Sequence, residues 1–345
     1  MPTDTQSADV RLQNLARWLQ EDLSLSVRQI EPASADASFR RYFRVQAGGE
    51  SLIAMDAPPD REDSAPFVRV ARALDAMGVP VPAIRAMDLE RGFLLLSDLG
   101  STHLLGALRA GVAADAAYGP AADALLRMQC SGRAAAAELP PYDAALLARE
   151  MALFPDWFLQ RHLRVTPDAS TVTLLGTVAA ALIESALSQP QVFVHRDFHS
   201  RNLMVTRDGG VGVIDFQDAV LGPVTYDLVS LYKDCYIEWP RADVVRWVES
   251  HRKALHGSGF DVGDAEQFLR WFDLMGLQRH LKVLGIFARL WYRDGKRGYL
   301  ADLPLVLRYV LQVTSAYPEL ATFDRYLIGE VVPRFESAQR REGVL

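Results

Sequence analysis

His195-Arg196-Asp197-Phe198-His199-Ser200-Arg201-Asn202-Leu203-Met204-Val205, followed by Ile214-Asp215-Phe216, holds most of the chemical information in this chain. Two short apolar runs flank Asp208-Gly209-Gly210, which reads as a β-hairpin. With Asp208-Gly209 as the turn, Asn202 stands directly opposite Asp215; with Gly209-Gly210 the two are offset by two residues. Directly opposed residues lie about 5 Å apart. Either register brings an amide oxygen and a carboxylate together at the open end of the hairpin. Asp197 lies just upstream, in the loop that enters it. A carboxylate that orients an attacking hydroxyl and two oxygen ligands for Mg²⁺ are what phosphoryl transfer requires.

Composition narrows the alternatives. The 345 residues are half hydrophobic, enough for a bilobal protein with a sizeable core. A net charge of -6 argues against a nucleic-acid surface. Cys130 and Cys235 are the two cysteines and form no C-x-x-C pair, which suits a reducing compartment and disfavours a cysteine zinc site. The polar opening lacks a signal-peptide pattern. The apolar run at 172–183 is shorter than the roughly 20 residues of a membrane span. These features predict a cytoplasmic, monomeric protein with a small-molecule substrate and no nucleic-acid or membrane partner.

Leu12, Leu15, Ala16, Leu19 and Leu23 predict an amphipathic opening helix. Residues 38–45 alternate, with Phe39, Arg41, Phe43 and Val45 on one face; Gly48-Gly49 then turns into a second strand at 52–56. A helix capped by Asp63 or Ser64 follows, with Pro66 in its first turn. Two apolar strands at 84–87 and 93–96 close a small lobe. The remainder is predicted to be mostly helical.

H-x-D-x-x-x-x-N followed by a D-F strand end resembles the aminoglycoside phosphotransferase and choline kinase superfamily, relatives of protein kinases. The resemblance implies an α+β, bilobal protein-kinase-like fold: a small β-rich ATP-binding N-lobe (1–99) and a larger, mainly helical C-lobe (100–345). It implies Asp197 as catalytic base, Asn202 and Asp215 as metal ligands, and His195 and Asp227 as structural braces. ATP and Mg²⁺ are the implied cofactors. Ala54, in the kinase V-A-I-K position, would cover adenine, and Ser97, Asp98 and Leu99 would form the hinge. Ser38 belongs to a small-residue segment, 34–38, in place of a glycine-rich phosphate loop. Asp56 occupies the lysine position, and the four lysines (Lys233, Lys253, Lys282, Lys296) all follow the 195–202 segment. Arg41 is the expected substitute, with Arg40 and Arg44 as fallbacks.

Segments 34–45, 55–59, 195–204, 214–240 and 279–290, with the 293–296 tail, resemble one branch of that superfamily. It comprises the anomeric amino-sugar kinases that phosphorylate N-acetylmuramate and N-acetylglucosamine in bacterial cell-wall recycling. This resemblance implies transfer of the ATP γ-phosphate to a sugar C1 hydroxyl. Twelve residues from Asp215 to Asp227 leave no room for a peptide-docking segment. Candidate sugar contacts are His199, Arg201, Asp218, Tyr232, Asp234, Arg279 and Lys282, the last two as partners for a lactyl carboxylate. Blander readings stand beside these: Tyr232, Tyr236 and Trp239 as core, Arg279 and Lys282 as the wet face of a helix, Asp218 as a solvated turn. Another small-alcohol kinase, or a nucleotide-binding pseudokinase, is the rival reading. His195 and His199 at i, i+4 lack a third soft ligand and do not suggest zinc.

Overall fold

The computed structural model describes residues 4–35 and 39–344. The chain divides into two compact units, Met1–Ala124 with Arg201–Asp218, and Leu125–Ser200 with Ala219–Leu345.

In the first unit, α1 (Asp4–Arg17) precedes strands β1 (Val27–Ala35), β2 (Arg41–Ala47) and β3 (Glu50–Asp56); α2 (Ala65–Ala76), β4 (Ile84–Asp88) and β5 (Phe93–Ser97) follow. They build a five-stranded antiparallel sheet in the order β1-β2-β3-β5-β4. Gly48 and Gly49, at φ 59° and 86°, form the tight β2–β3 turn, a conformation that side chains other than glycine rarely adopt. Leu15, Trp18 and Leu19 of the opening helical segment pack on Phe43, Val45, Leu52, Ala54, Phe93 and Leu95. Met55, Leu94 and Leu96 on the opposite face are also buried. β1 was not foreseen in the sequence; its Pro32 sits on an edge strand, where a missing N–H is tolerated.

The same unit holds the hairpin of β7 (Leu203–Val205) and β8 (Val211–Val213). Its register corrects both sequence expectations. Leu203 pairs with Val213 and Val205 with Val211, so five residues, Thr206 to Gly210, make the loop. Thr206 N–H donates to the Gly210 carbonyl and the Thr206 hydroxyl donates to Asp208, closing a wider turn than Asp-Gly alone would make.

The second unit is mostly helical, with one two-stranded ribbon of β6 (Gln191–Val194) and β9 (Val220–Pro223). Its helices include α3 (Ala144–Met151), α4 (Ala169–Leu187), α5 (Tyr226–Tyr232) and α6 (Ala265–Asp294). α6 runs through the core and is buried along most of its length. Asp264 caps it by accepting from Gln267 N–H, and Gly295, at φ 69°, ends it. α4 extends the apolar run at 172–183 in both directions and is long and apolar enough to cross a membrane; a minority of it is buried, through Val178, Leu182 and Ala186.

Candidate active site

In the second unit the 195–200 loop leaves β6 under tight control. Arg196 has φ 75°, a strained left-handed conformation for a residue with a side chain. Three contacts hold it. The buried Asp227 carboxylate, on the first turn of α5, accepts from the His195 N–H (2.7 Å) and the Arg196 N–H (3.0 Å). The Arg196 guanidinium donates to Glu150 of α3 at 2.6 Å. Asp197 N–H donates to Nδ1 of the fully buried His195 (3.2 Å). Burial pushes the Asp227 carboxyl up to about 7 against its two amide hydrogen bonds.

The loop's far end is fixed by Asp234, which is buried and accepts from the Ser200 N–H (2.9 Å), the Ser200 hydroxyl and the Tyr236 N–H (3.1 Å). Asp197 between these anchors is partly exposed. Burial would raise its carboxyl, but His199, Lys282, Arg279 and Arg196 together hold it below its ordinary value. Asp197 is therefore ionised at neutral pH, as an acceptor of a hydroxyl proton must be.

Lys282 and Arg279 are buried, not on a wet helix face. Lys282 Nζ pairs with Glu150 (2.9 Å) and donates to the Tyr226 hydroxyl (3.0 Å); Arg279 donates to Cys235 Sγ (3.4 Å). Tyr232 is core, its ring 5.3 Å from Trp247. His199 is part-buried and meets Tyr236 edge to face. Glu150 was missed in the sequence. It is a lone carboxylate 46 residues upstream of the loop, with no motif to mark it.

In the first unit, the hairpin register places Asn202 opposite Ile214, whose N–H donates to the Asn202 carbonyl (3.0 Å). Asp215 then turns out of the strand at φ 65°. That turn brings its carboxylate back to the Asn202 side chain, Nδ2 to Oδ2 at 3.2 Å, while Gln217 Nε2 donates to Oδ1 at 2.9 Å. The two side chains meet as expected, by a different geometry. Phe216 lies against Phe67 of α2, ring centroids 4.8 Å apart. Arg201 is part-exposed and Asp218 exposed.

Asp56 is fully buried and clamped by two arginines, Arg41 from β2 and Arg11 from α1 (Nε to Oδ1 2.8 Å). Arg41 shares its strand face with Phe43 and Val45, as the alternation indicated, but α1 covers that face. Ala54 is fully buried in the same core. Arg40 pairs with Glu62 at 3.1 Å. Arg44 donates to Asp98 (2.8 Å) and to the Gly100 carbonyl (3.0 Å), and Ser51 donates to the same carboxylate (2.6 Å). Ser97 N–H donates to the Ala83 carbonyl, and Leu99 packs over Gly212, where a Cβ would come within 2.7 Å of it. Ser38 lies outside the described residues.

A five-stranded antiparallel sheet, a mainly helical second unit, and an H-x-D loop leading through a hairpin to a D-F turn define a protein-kinase-like phosphotransferase. The Phosphotransferase enzyme family matches residues 29–272, and the chain belongs to it. The N-acetylmuramate/N-acetylglucosamine kinase of Pseudomonas aeruginosa is 48% identical over 332 residues, covering 93% of this chain and 97% of that protein. The protein of the same name from Pseudomonas putida is 45% identical over 343 residues, covering 96% and 98%. The solved choline kinase of Streptococcus pneumoniae shares the fold, with 12% identity, a TM-score of 0.57 and coverage of 89% and 99%.

Proposed function

We propose that this enzyme transfers the γ-phosphate of Mg-ATP to the anomeric C1 hydroxyl of N-acetylmuramate and N-acetylglucosamine, giving the sugar 1-phosphate in the cytoplasm during cell-wall recycling. The observation that carries this reading is the 48% identity, end to end, with a kinase named for both sugars. Asp197, ionised and braced through His195 and Asp227, accepts the hydroxyl proton. The unit holding the five-stranded sheet binds the nucleotide, and the helical unit binds the sugar.

Asn202 and Asp215 would hold Mg²⁺, which neutralises charge developing on the phosphoryl oxygens. Their donor set fits: one carboxylate and one amide, both able to offer oxygen to a hard cation, with no thiolate beside them. Among the described residues no group of three or more His, Cys, Asp and Glu could cage a metal, which suits an ion bound largely through substrate phosphates.

An arginine must take the place of the lysine that kinases pair with a glutamate near the following helix. Arg40, paired with Glu62 just before α2, reproduces that cation–carboxylate couple. Arg41 is committed to Asp56. Asp98, occupied by Arg44, Ser51 and the Gly100 N–H, shapes the hinge whose backbone receives adenine.

³¹P NMR with Mg-ATP and each sugar tests the reaction. A new phosphate signal coupled to the sugar H1 is expected. Phosphate on another hydroxyl, or intact ATP with both sugars, overturns the assignment.

A further inference from the structure

The proposed pair of substrates differs by one group. N-acetylmuramate carries a lactyl carboxylate on C3, two ring atoms from the anomeric carbon, and N-acetylglucosamine does not. A binding site for the acid sugar needs a cation displaced from Asp197, because a second carboxylate beside that part-buried charge is repelled.

Arg279, Lys282, Ile286, Arg289 and Arg293 recur on α6 at i, i+3, i+7, i+10 and i+14 and share one stripe. The stripe starts at Asp197, whose charge is stabilised by Lys282 and Arg279. Lys282 is held by Glu150 and Tyr226, and Arg279, buried in the core, donates to the Cys235 thiol. Further along, the stripe opens, with Ile286 and Arg289 part-exposed and Arg293 exposed. Its two sides are walled. Gly285 lies tight against Leu153 on one, and Phe287 meets the Tyr236 and Tyr299 rings on the other (6.2 and 5.1 Å). Arg293 is neutralised by Asp294 at 2.8 Å.

Arg289 is different. Among the described residues it has no hydrogen-bond or ion-pair partner, and its Nε is shut away from water. Burial, with Arg293 close by, lowers its pKa, and Asp294 offsets only part of that. It lies seven residues from Lys282, about 10 Å along the helix at 1.5 Å per residue. A half-buried guanidinium engaged in no hydrogen bond or ion pair is ready to receive a carboxylate in two-pronged fashion.

We infer that Arg289 is the residue that recognises the lactyl carboxylate of the acid sugar. This rests on the amino-sugar reading above. The carboxylate lies against the two terminal nitrogens of Arg289, with Ile286 beneath the ring. N-acetylglucosamine leaves the arginine to water.

The test is steady-state kinetics of wild type, Arg289→Gln and Arg289→Lys with each sugar. Gln keeps the stem and removes the charge at a part-exposed site. KM for N-acetylmuramate should rise about 10- to 100-fold, as loss of a charge-assisted pair implies, with KM for N-acetylglucosamine unchanged. Lys, with its charge but no fork, should fall between. Equal effects on both sugars, or no effect, overturn the inference and leave the amino-sugar kinase standing. Wild-type turnover of N-acetylglucosamine alone also overturns it. Wild type that phosphorylates neither sugar removes both.

Discussion

Arg41 and Asp56 stand directly opposite each other on β2 and β3, and the guanidinium of one rests on the fully buried carboxylate of the other. Arg11 binds the other carboxylate oxygen from α1. Asp56 thus ties the opening helix to the sheet. Asp56→Asn leaves two cations facing a neutral amide, and about 3–5 kcal/mol of stability should be lost. Arg41→Ala keeps the Arg11 pair and should cost less, about 1.5–3 kcal/mol, the range for a hydrogen bond to a charged group. Urea denaturation measures both. ATP KM should stay unchanged in Arg41→Ala and rise in Arg40→Ala. A rise confined to Arg41→Ala, with stability intact, would return the phosphate role to Arg41.

Asp227 links the loop to α5, and its elevated pKa gives stability a pH dependence. The folded value of about 7 exceeds the ordinary aspartate value, so in the interval between them the native state holds a proton that the unfolded chain has released. Its contribution is full below about pH 4 and is lost as pH rises through 7. Asp227→Asn should flatten that part of the stability profile. It should also cost about 1–3 kcal/mol, because an amide accepts one backbone N–H and turns its own NH₂ toward the other. Urea melts at pH 5 and pH 8 compare the slopes; an unchanged slope would show that Asp227 is ionised throughout.

Much of this was legible in residues that act locally. The Gly48-Gly49 hairpin, the start of α2 at Asp63-Ser64, the amphipathic opening helix and the H-x-D-x-x-x-x-N loop all signal themselves within a few positions. The β7–β8 register was misread because Asp208-Gly209 is a strong two-residue turn signal, yet Thr206 and Gly210 close a five-residue loop. Asn202 and Asp215 still meet, through the left-handed backbone at Asp215 rather than through pairing. The alternation of β2 put Arg41 beside Phe43 and Val45 correctly. Which side of the sheet α1 covers is a tertiary fact that alternation does not contain. Glu150 was invisible for the same reason: nothing in α3 announces that its one buried carboxylate meets Arg196 and Lys282.

Gly285 allows α6 to pass against the segment that follows α3. A Cβ there would collide with the Leu153 carbonyl, and backbone cannot turn aside as a side chain can. Gly285→Ala should therefore destabilise by about 1–3 kcal/mol, although alanine is the better helix former. Because Lys282 lies one turn away on the same helix, kcat should also fall. Thermal denaturation and turnover of the same preparation check both; a stabilised variant would mean that the helices separate freely.

The pH profile of the reaction should follow from the cations around Asp197. Its carboxyl lies below the ordinary range because His199, Lys282, Arg279 and Arg196 outweigh burial. The wild-type acid limb of kcat should then lie below about pH 4, the ordinary Asp value. Lys282→Met removes one positive charge while filling similar volume. The Asp197 pKa should rise and the acid limb should move to higher pH, with turnover lost first in mildly acidic buffer. The same change leaves Glu150 with Arg196 and Tyr142 but without its lysine, adding uncompensated negative charge near the loop. Lys282→Met with Glu150→Gln removes the cation and the anion together. Its acid limb should fall between wild type and the single variant, since the two charges act on Asp197 in opposite directions. A limb that stays in place in both variants would mean that the titrating base is not Asp197, or that Lys282 acts on stability alone.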